Sequence, residues 1–169
     1  MMQRFRRLLR HRWLDDADTR RAVPPALAQR LAERVAASER RHSGEIRIYI
    51  EAGLPLGYLW RDAKARERAI AMFGKLGVWD TEQNNGVLIY LLLAEHAIEV
   101  VADRGLARHV PQEQWQQIVQ GMREAFRAGR YEQGLAQAVD TVTALLERHF
   151  PLRGGEANPN ELPDQPVLG

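Results

Sequence analysis

Residues 84–106 read NNGVLIYLLLAEHAIEVVADRGL, and the fold turns on them. Two apolar runs flank Glu95-His96. The first, VLIYLLL, is apolar at every position, the mark of a central strand covered by helices on both faces. The second, AIEVVAD, returns antiparallel after a tight turn. Asn84-Asn85-Gly86 before the pair and Asp103-Arg104-Gly105 after it carry turn chemistry. If the turn centres on Glu95, antiparallel pairing sets Val87 opposite Asp103 and Gly86 near Arg104.

Upstream, EIRIYIEA (45–52) alternates, with Ile46, Ile48 and Ile50 on one side and Arg47, Tyr49 and Glu51 on the other, which predicts a strand with one buried face. After the turn-rich GLPLG, the spacing of Ala65, Ala69, Met72, Phe73 and Leu76 predicts a helix over 60–76. Strand, helix, strand in that order reads as a right-handed crossover between parallel strands. Pro24-Pro25 opens an earlier helix faced by Leu27, Leu31 and Val35. Downstream, Val110-Pro111 opens a helix carrying Trp115, Ile118, Val119, Met122 and Phe126, stopped by Ala128-Gly129. A last helix carries Leu135, Val139, Val142 and Leu146 and ends at His149-Phe150-Pro151. The fold class is therefore α/β: a three-layer sandwich, in which a small mixed sheet, made of a βαβ crossover and an antiparallel hairpin, has helices on both faces.

Length and composition suit one globular domain: 169 residues, 45% apolar and 27% charged. No cysteine is present, so disulfides, thiolate catalysis and Cys-ligated zinc are excluded. The net charge of +2 conceals an asymmetry. Residues 1–21 hold seven Arg against three Asp, residues 152–169 one Arg against three acids, and the middle balances. A neutral body argues against a nucleic-acid binder. The chain divides into a basic amphipathic arm (1–23), an α/β domain (24–151) and a disordered tail (152–169) rich in Pro, Gly, Asn and Asp.

In the arm, Phe5, Leu8, Leu9 and Trp13 recur at spacings of three and four among Arg4, Arg6, Arg7, Arg10 and Arg12. Such a helix packs on the domain, lies on an anionic membrane surface through residues 4–13 or seats in a partner's groove. Arginine interrupts every hydrophobic pair, so the arm is not a signal peptide, and no run is long enough to span a bilayer. The expected location is cytoplasmic, peripheral at the inner membrane face.

Topology gathers oxygen donors at one rim of the sheet. Glu45 starts the first strand, Asp80, Glu82, Asn84 and Asn85 precede the second, and Asp103 ends the third. Oxygen ligands from three segments are what Ca²⁺ or Mg²⁺ prefers, so these six are the candidate metal ligands, with His42 nearby. The competing reading is that the same residues only cap turns and pair with arginines. No organic cofactor is expected and no catalytic residue is assigned: G-x-S-x-G, Walker A, G-x-G-x-x-G and H-E-x-x-H are all absent, and the chain has only Ser38 and Ser43.

Gly44-Glu45-Ile46-Arg47, the run Trp79 to Leu91, Ala102-Asp103-Arg104-Gly105-Leu106 and the final helix ending His149-Phe150-Pro151 together resemble a TPM domain over roughly residues 25–151, most closely the short stand-alone bacterial form without signal peptide or transmembrane tail. The resemblance implies an α/β sandwich and covers members as different as a thylakoid-lumen protein of photosystem II repair and an accessory protein of acetylcholine receptors. It also implies calcium or related ions in some members, a phosphatase label for parts of the family, and LemA-type membrane proteins as partners of bacterial members. Two functions follow as expectations. The first is a non-enzymatic interaction module, tuned by Ca²⁺ or Mg²⁺, that assists a membrane-associated protein partner. The alternative is a metal-assisted phosphomonoester hydrolase.

Overall fold

A computed structural model describes residues 2–153 and 158–169. Residues 154–157 of the expected tail and the side chain of Arg4 lie outside the described residues. The apolar run at 87–92 forms β2 (Val87–Leu92), every residue of which is buried. It pairs in parallel with β1 (Ile46–Glu51), Ile46 facing Val87, and antiparallel with β3 (Ala97–Ala102). A two-residue strand, β4 (Val167–Leu168), lies parallel to β1 at Tyr49 and Ile50, so the order is β3-β2-β1-β4.

Alternation of side chains across the sheet separates two cores. Ile46, Ile48, Ile50, Val87, Ile89 and Leu91 face a layer made by α3 (Pro25–Glu39), α7 (Gln112–Arg127) and α8 (Tyr131–His149). Tyr49, Leu88, Tyr90, Leu92 and Val101 face α5 (Ala65–Lys75) through Ala65, Ala69 and Met72. Each large aliphatic side chain buried in these layers contributes about 1.5–3 kcal/mol. The three-layer sandwich expected from the sequence is the observed one.

Four details differ from the expectation. The predicted helix over 60–76 starts later, as α5, and a separate short helix, α4 (Leu56–Trp60), precedes it, with Asp62 in a left-handed conformation (φ 53°) between the two. β1 is buried on both faces, not one, since Arg47, Tyr49 and Glu51 are covered as fully as the isoleucines. The hairpin turns through a 3₁₀ segment, Leu93–Glu95, closed by a left-handed His96, so Val87 faces Ala102, and Asp103 falls one place along, beside Gly86. Finally, residues 158–169, expected as part of a disordered tail, run along β1. The Glu45 carboxylate accepts from the Glu161 and Leu162 amides (3.1 and 3.2 Å), and Arg47 donates to the Pro163 and Gln165 carbonyls. These are backbone contacts, which composition does not display.

The arm forms α1 (Met2–Trp13) and α2 (Asp16–Ala22), and both lie against the domain.

Candidate functional site

The register places three of the six predicted donors at one rim: Glu45 precedes Ile46, Asn85 and Gly86 precede Val87, and Asp103 follows Ala102. Their partners then separate them. Glu45 is fully buried and gives both oxygens to tail amides. Burial pushes its carboxyl up to about 7 against the pull of those amides. Asp103 caps α6 (Arg104–Ala107), its Oδ1 accepting from the Arg104 amide at 2.7 Å, while Oδ2 is buried with no hydrogen-bond partner among the described residues. Asn85 donates to Ser43 Oγ at 3.1 Å and leaves its own Oδ1 buried and unpartnered. Asp80, Glu82 and Asn84 are exposed. Among the described residues no three Asp, Glu or His are grouped as a metal centre requires. Of these donors, Asn85 and Asp103 keep buried oxygens with no partner among the described residues, the chemistry of a weak, mostly hydrated cation site.

His42 is turned away from the rim. Its Nδ1 faces the Gly44 carbonyl at 3.1 Å and its Nε2 lies 2.7 Å from Ser38 Oγ, which contacts Thr143 Oγ1 at 2.6 Å. Burial lowers the His42 pKa to about 4. A serine and a histidine in hydrogen-bond contact have the chemistry of a nucleophile and base. Here both are buried between α3 and α8, closed to any substrate. Their spacing of four at the end of α3 is the sequence signal for this contact.

Beside Glu45 stands a second buried acid. Glu39 Oε1 accepts from the Ile46 amide at 3.0 Å. Burial, reinforced by Glu45 and Asp164, pushes the Glu39 carboxyl up to about 9. Arg47 is the cation under the same tail segment, its Nε buried without a hydrogen-bond partner among the described residues.

The opposite ends of the parallel strands hold a polar cluster that the sequence reading missed. Glu51 accepts two parallel hydrogen bonds from Arg68 and one each from the hydroxyls of Tyr90 (2.8 Å) and Tyr49 (3.2 Å). Arg68 in turn lies over the Tyr58 ring. Helix α1 docks next to this cluster. Arg7 donates to Glu95 at 2.7 Å, to Asp62 at 2.8 Å and to the Ala63 carbonyl at 2.6 Å. The His11 Nδ1 accepts from the Leu54 amide at 2.9 Å, so Nε2 carries the proton and donates to Glu95, also at 2.9 Å. Open α/β sheets bind ligands at this end of their parallel strands. In this chain α1 lies there.

The docked face of α1 is thus Arg7, Leu8 and His11. Phe5, Leu9 and Trp13 project outward, 64%, 40% and 81% exposed. Arg6, Arg10 and Arg12 are exposed around them. A groove of about 1040 Å³ continues from this helix, lined by Leu14, Leu27 and Leu93 together with Arg10, Arg21 and Arg130.

The TPM domain model matches residues 17–145, from α2 to the last turns of α8. The chain belongs to the TPM domain family. The solution structure of the BA42 protein from the psychrophilic bacterium Bizionia argentinensis superposes on this TPM domain with a TM-score of 0.75, covering 87% of this chain and 95% of that one, at 23% identity. At that identity the likeness establishes the fold. No curated protein matches the chain. Among the described residues of this TPM domain no helix is long and apolar enough to cross a membrane.

Proposed function

We propose that this TPM domain is a non-enzymatic binding module that assists a membrane-associated protein partner, with α1 holding it against an anionic membrane surface. The supporting observation is the outward placement of Phe5, Leu9 and Trp13 among Arg6, Arg10 and Arg12 on a helix anchored from its other side. Apolar residues of this kind enter the headgroup boundary, and each Arg near an anionic leaflet adds about 1 kcal/mol. The test is co-sedimentation with vesicles of phosphatidylglycerol and phosphatidylcholine against phosphatidylcholine alone. Binding to the anionic vesicles alone, weakened at least tenfold in Phe5→Ser/Trp13→Ser, supports the reading. Equal partitioning onto both vesicles, or an unaltered double variant, refutes it.

A divalent cation belongs to the same reading, with Asn85 and Asp103 as its first contacts because each retains an unpartnered oxygen. Calcium or magnesium titration followed at the Asn85 and Asp103 amides tests this. A response at millimolar ion that disappears in Asp103→Ala is expected, and no response removes the cation. The phosphatase label of the family is tested on the same sample. Hydrolysis of p-nitrophenyl phosphate with Mg²⁺ that is lost in Asp80→Ala/Asp103→Ala would replace the non-enzymatic reading.

A further inference from the structure

The groove beside α1 is assembled from separate parts of the chain. Leu14 comes from the link between α1 and α2, Leu27 from α3 and Leu93 from the hairpin bend, and together they give it an aliphatic lining. Arg10 of α1 and Arg130 of the turn between α7 and α8 border that lining. Its volume of about 1040 Å³ is ample for a small organic ligand, whose clefts run to about 300–1,000 Å³. Phe5, Leu9 and Trp13 are not among the residues that line it.

The charges around the groove do not cancel. Its two acids are already engaged: Asp18 faces Arg21 at 3.3 Å, and Glu132 accepts from Arg30 at 2.7 and 2.9 Å. The guanidinium groups of Arg10 and Arg130 are exposed and have no hydrogen-bond or ion-pair partner among the described residues. Two positive charges are thus left beside an aliphatic surface. A flexible methylene chain that ends in an anion matches both features. The chain gains by leaving water, and a carboxylate accepts paired hydrogen bonds from guanidinium. A cationic amphiphile would meet repulsion here, and a neutral one would leave both guanidinium groups unused.

We propose that this groove binds a free, single-chain fatty carboxylate, its methylenes against Leu14, Leu27 and Leu93 and its head group at Arg10 and Arg130. The ligand joins the arm to the turn between α7 and α8, two parts of the chain that each supply one of the unpaired charges. Because the outward stripe of α1 takes no part in the lining, this site goes beyond the membrane reading and does not depend on it.

The experiment is an NMR titration of the full chain with octanoate, decanoate and dodecanoate, each below its micelle-forming concentration. Expected are shifts concentrated at the methyl groups of Leu14, Leu27 and Leu93. Affinity should rise about twofold to fourfold for each added methylene, as for chain carbons taken out of water. Reversing both charges, in Arg10→Glu/Arg130→Glu, should weaken dodecanoate binding about tenfold or more. Dodecyltrimethylammonium should bind the wild type more weakly than dodecanoate by a similar factor. An absence of shifts, affinity that ignores chain length, or equal affinity for the cationic amphiphile overturns the proposal. Shifts at Phe5, Leu9 and Trp13 in place of the groove leucines would show coating of the exposed stripe and also overturn it. Concentration-dependent shifts at those leucines without any ligand would assign the groove to a second copy, with the same consequence. Phe5→Ser/Trp13→Ser should leave dodecanoate binding unchanged. Vesicle binding that survives a failed dodecanoate titration would sink the groove and spare the membrane reading, and the reverse result would do the opposite.

Discussion

Replacing Glu39 with Gln should stabilise this protein, and by more as the pH rises. Glu39 lies buried at the end of α3, near Glu45 and Asp164, with its Oε1 accepting from the Ile46 amide. Its carboxyl is raised from 4.5 to about 9 chiefly by burial. Between those values the folded chain holds a proton here that the unfolded chain releases. The stabilisation tied to that proton is complete below pH 4.5 and lost as the pH climbs toward 9. At about 1.36 kcal/mol per pH unit, the wild type forfeits about 3 kcal/mol by pH 7 relative to pH 4. Gln keeps the acceptor for the Ile46 amide and has no proton to lose. For a chain of this size, 3 kcal/mol corresponds to about 6–12 °C in Tm. Calorimetric melts of wild type and Glu39→Gln should coincide near pH 4 and separate steadily to pH 8, with the variant higher. Parallel curves, or a variant less stable throughout, would show that Glu39 is ionised in the fold and that the tail segment tolerates its charge.

Three further outcomes follow from the packing. A Cβ at Gly53 would stand 2.7 Å from the His11 carbonyl, so Gly53→Ala should loosen α1 by about 1–3 kcal/mol, read as faster amide exchange over residues 5–13 with β1 and β2 unaffected. Arg68→Met leaves the buried Glu51 carboxylate with the two tyrosine hydroxyls as its donors among the described residues and should cost about 3–5 kcal/mol in urea unfolding; a loss under about 1 kcal/mol would contradict a buried, interdependent pair. The His42 ring, held neutral by burial, should remain so down to about pH 4, and its stabilisation should be lost as the pH falls from 6.5 through that value. A ring titrating near 6.5 by NMR would contradict its burial.

What could be read in the sequence was what periodicity carries. The unbroken apolar run of β2, the alternation in β1 and the spacing in α7 and α8 yielded the layers, because burial on one or two faces is written directly into residue order. The polar face of β1 was misread for the opposite reason. Arg47 and Glu51 look like solvent-facing residues, yet their partners are Arg68 and the carbonyls of 163 and 165, supplied by distant chain. Topology could be used to argue which residues share a rim, whereas no spacing rule announces that tail amides occupy both oxygens of Glu45. The outward stripe on α1 was visible as a pattern, whereas its orientation depended on Arg7 and His11 finding Glu95 across 88 and 84 residues of sequence.

Glu95 accepts from Arg7 and from His11 and sits one residue short of His96, the left-handed link into β3. Through the same two side chains α1 is tied to the hairpin bend at Glu95 and to the segments carrying Leu54, Asp62 and Ala63. Pulling α1 from the domain therefore requires Glu95 to give up Arg7 and His11 together.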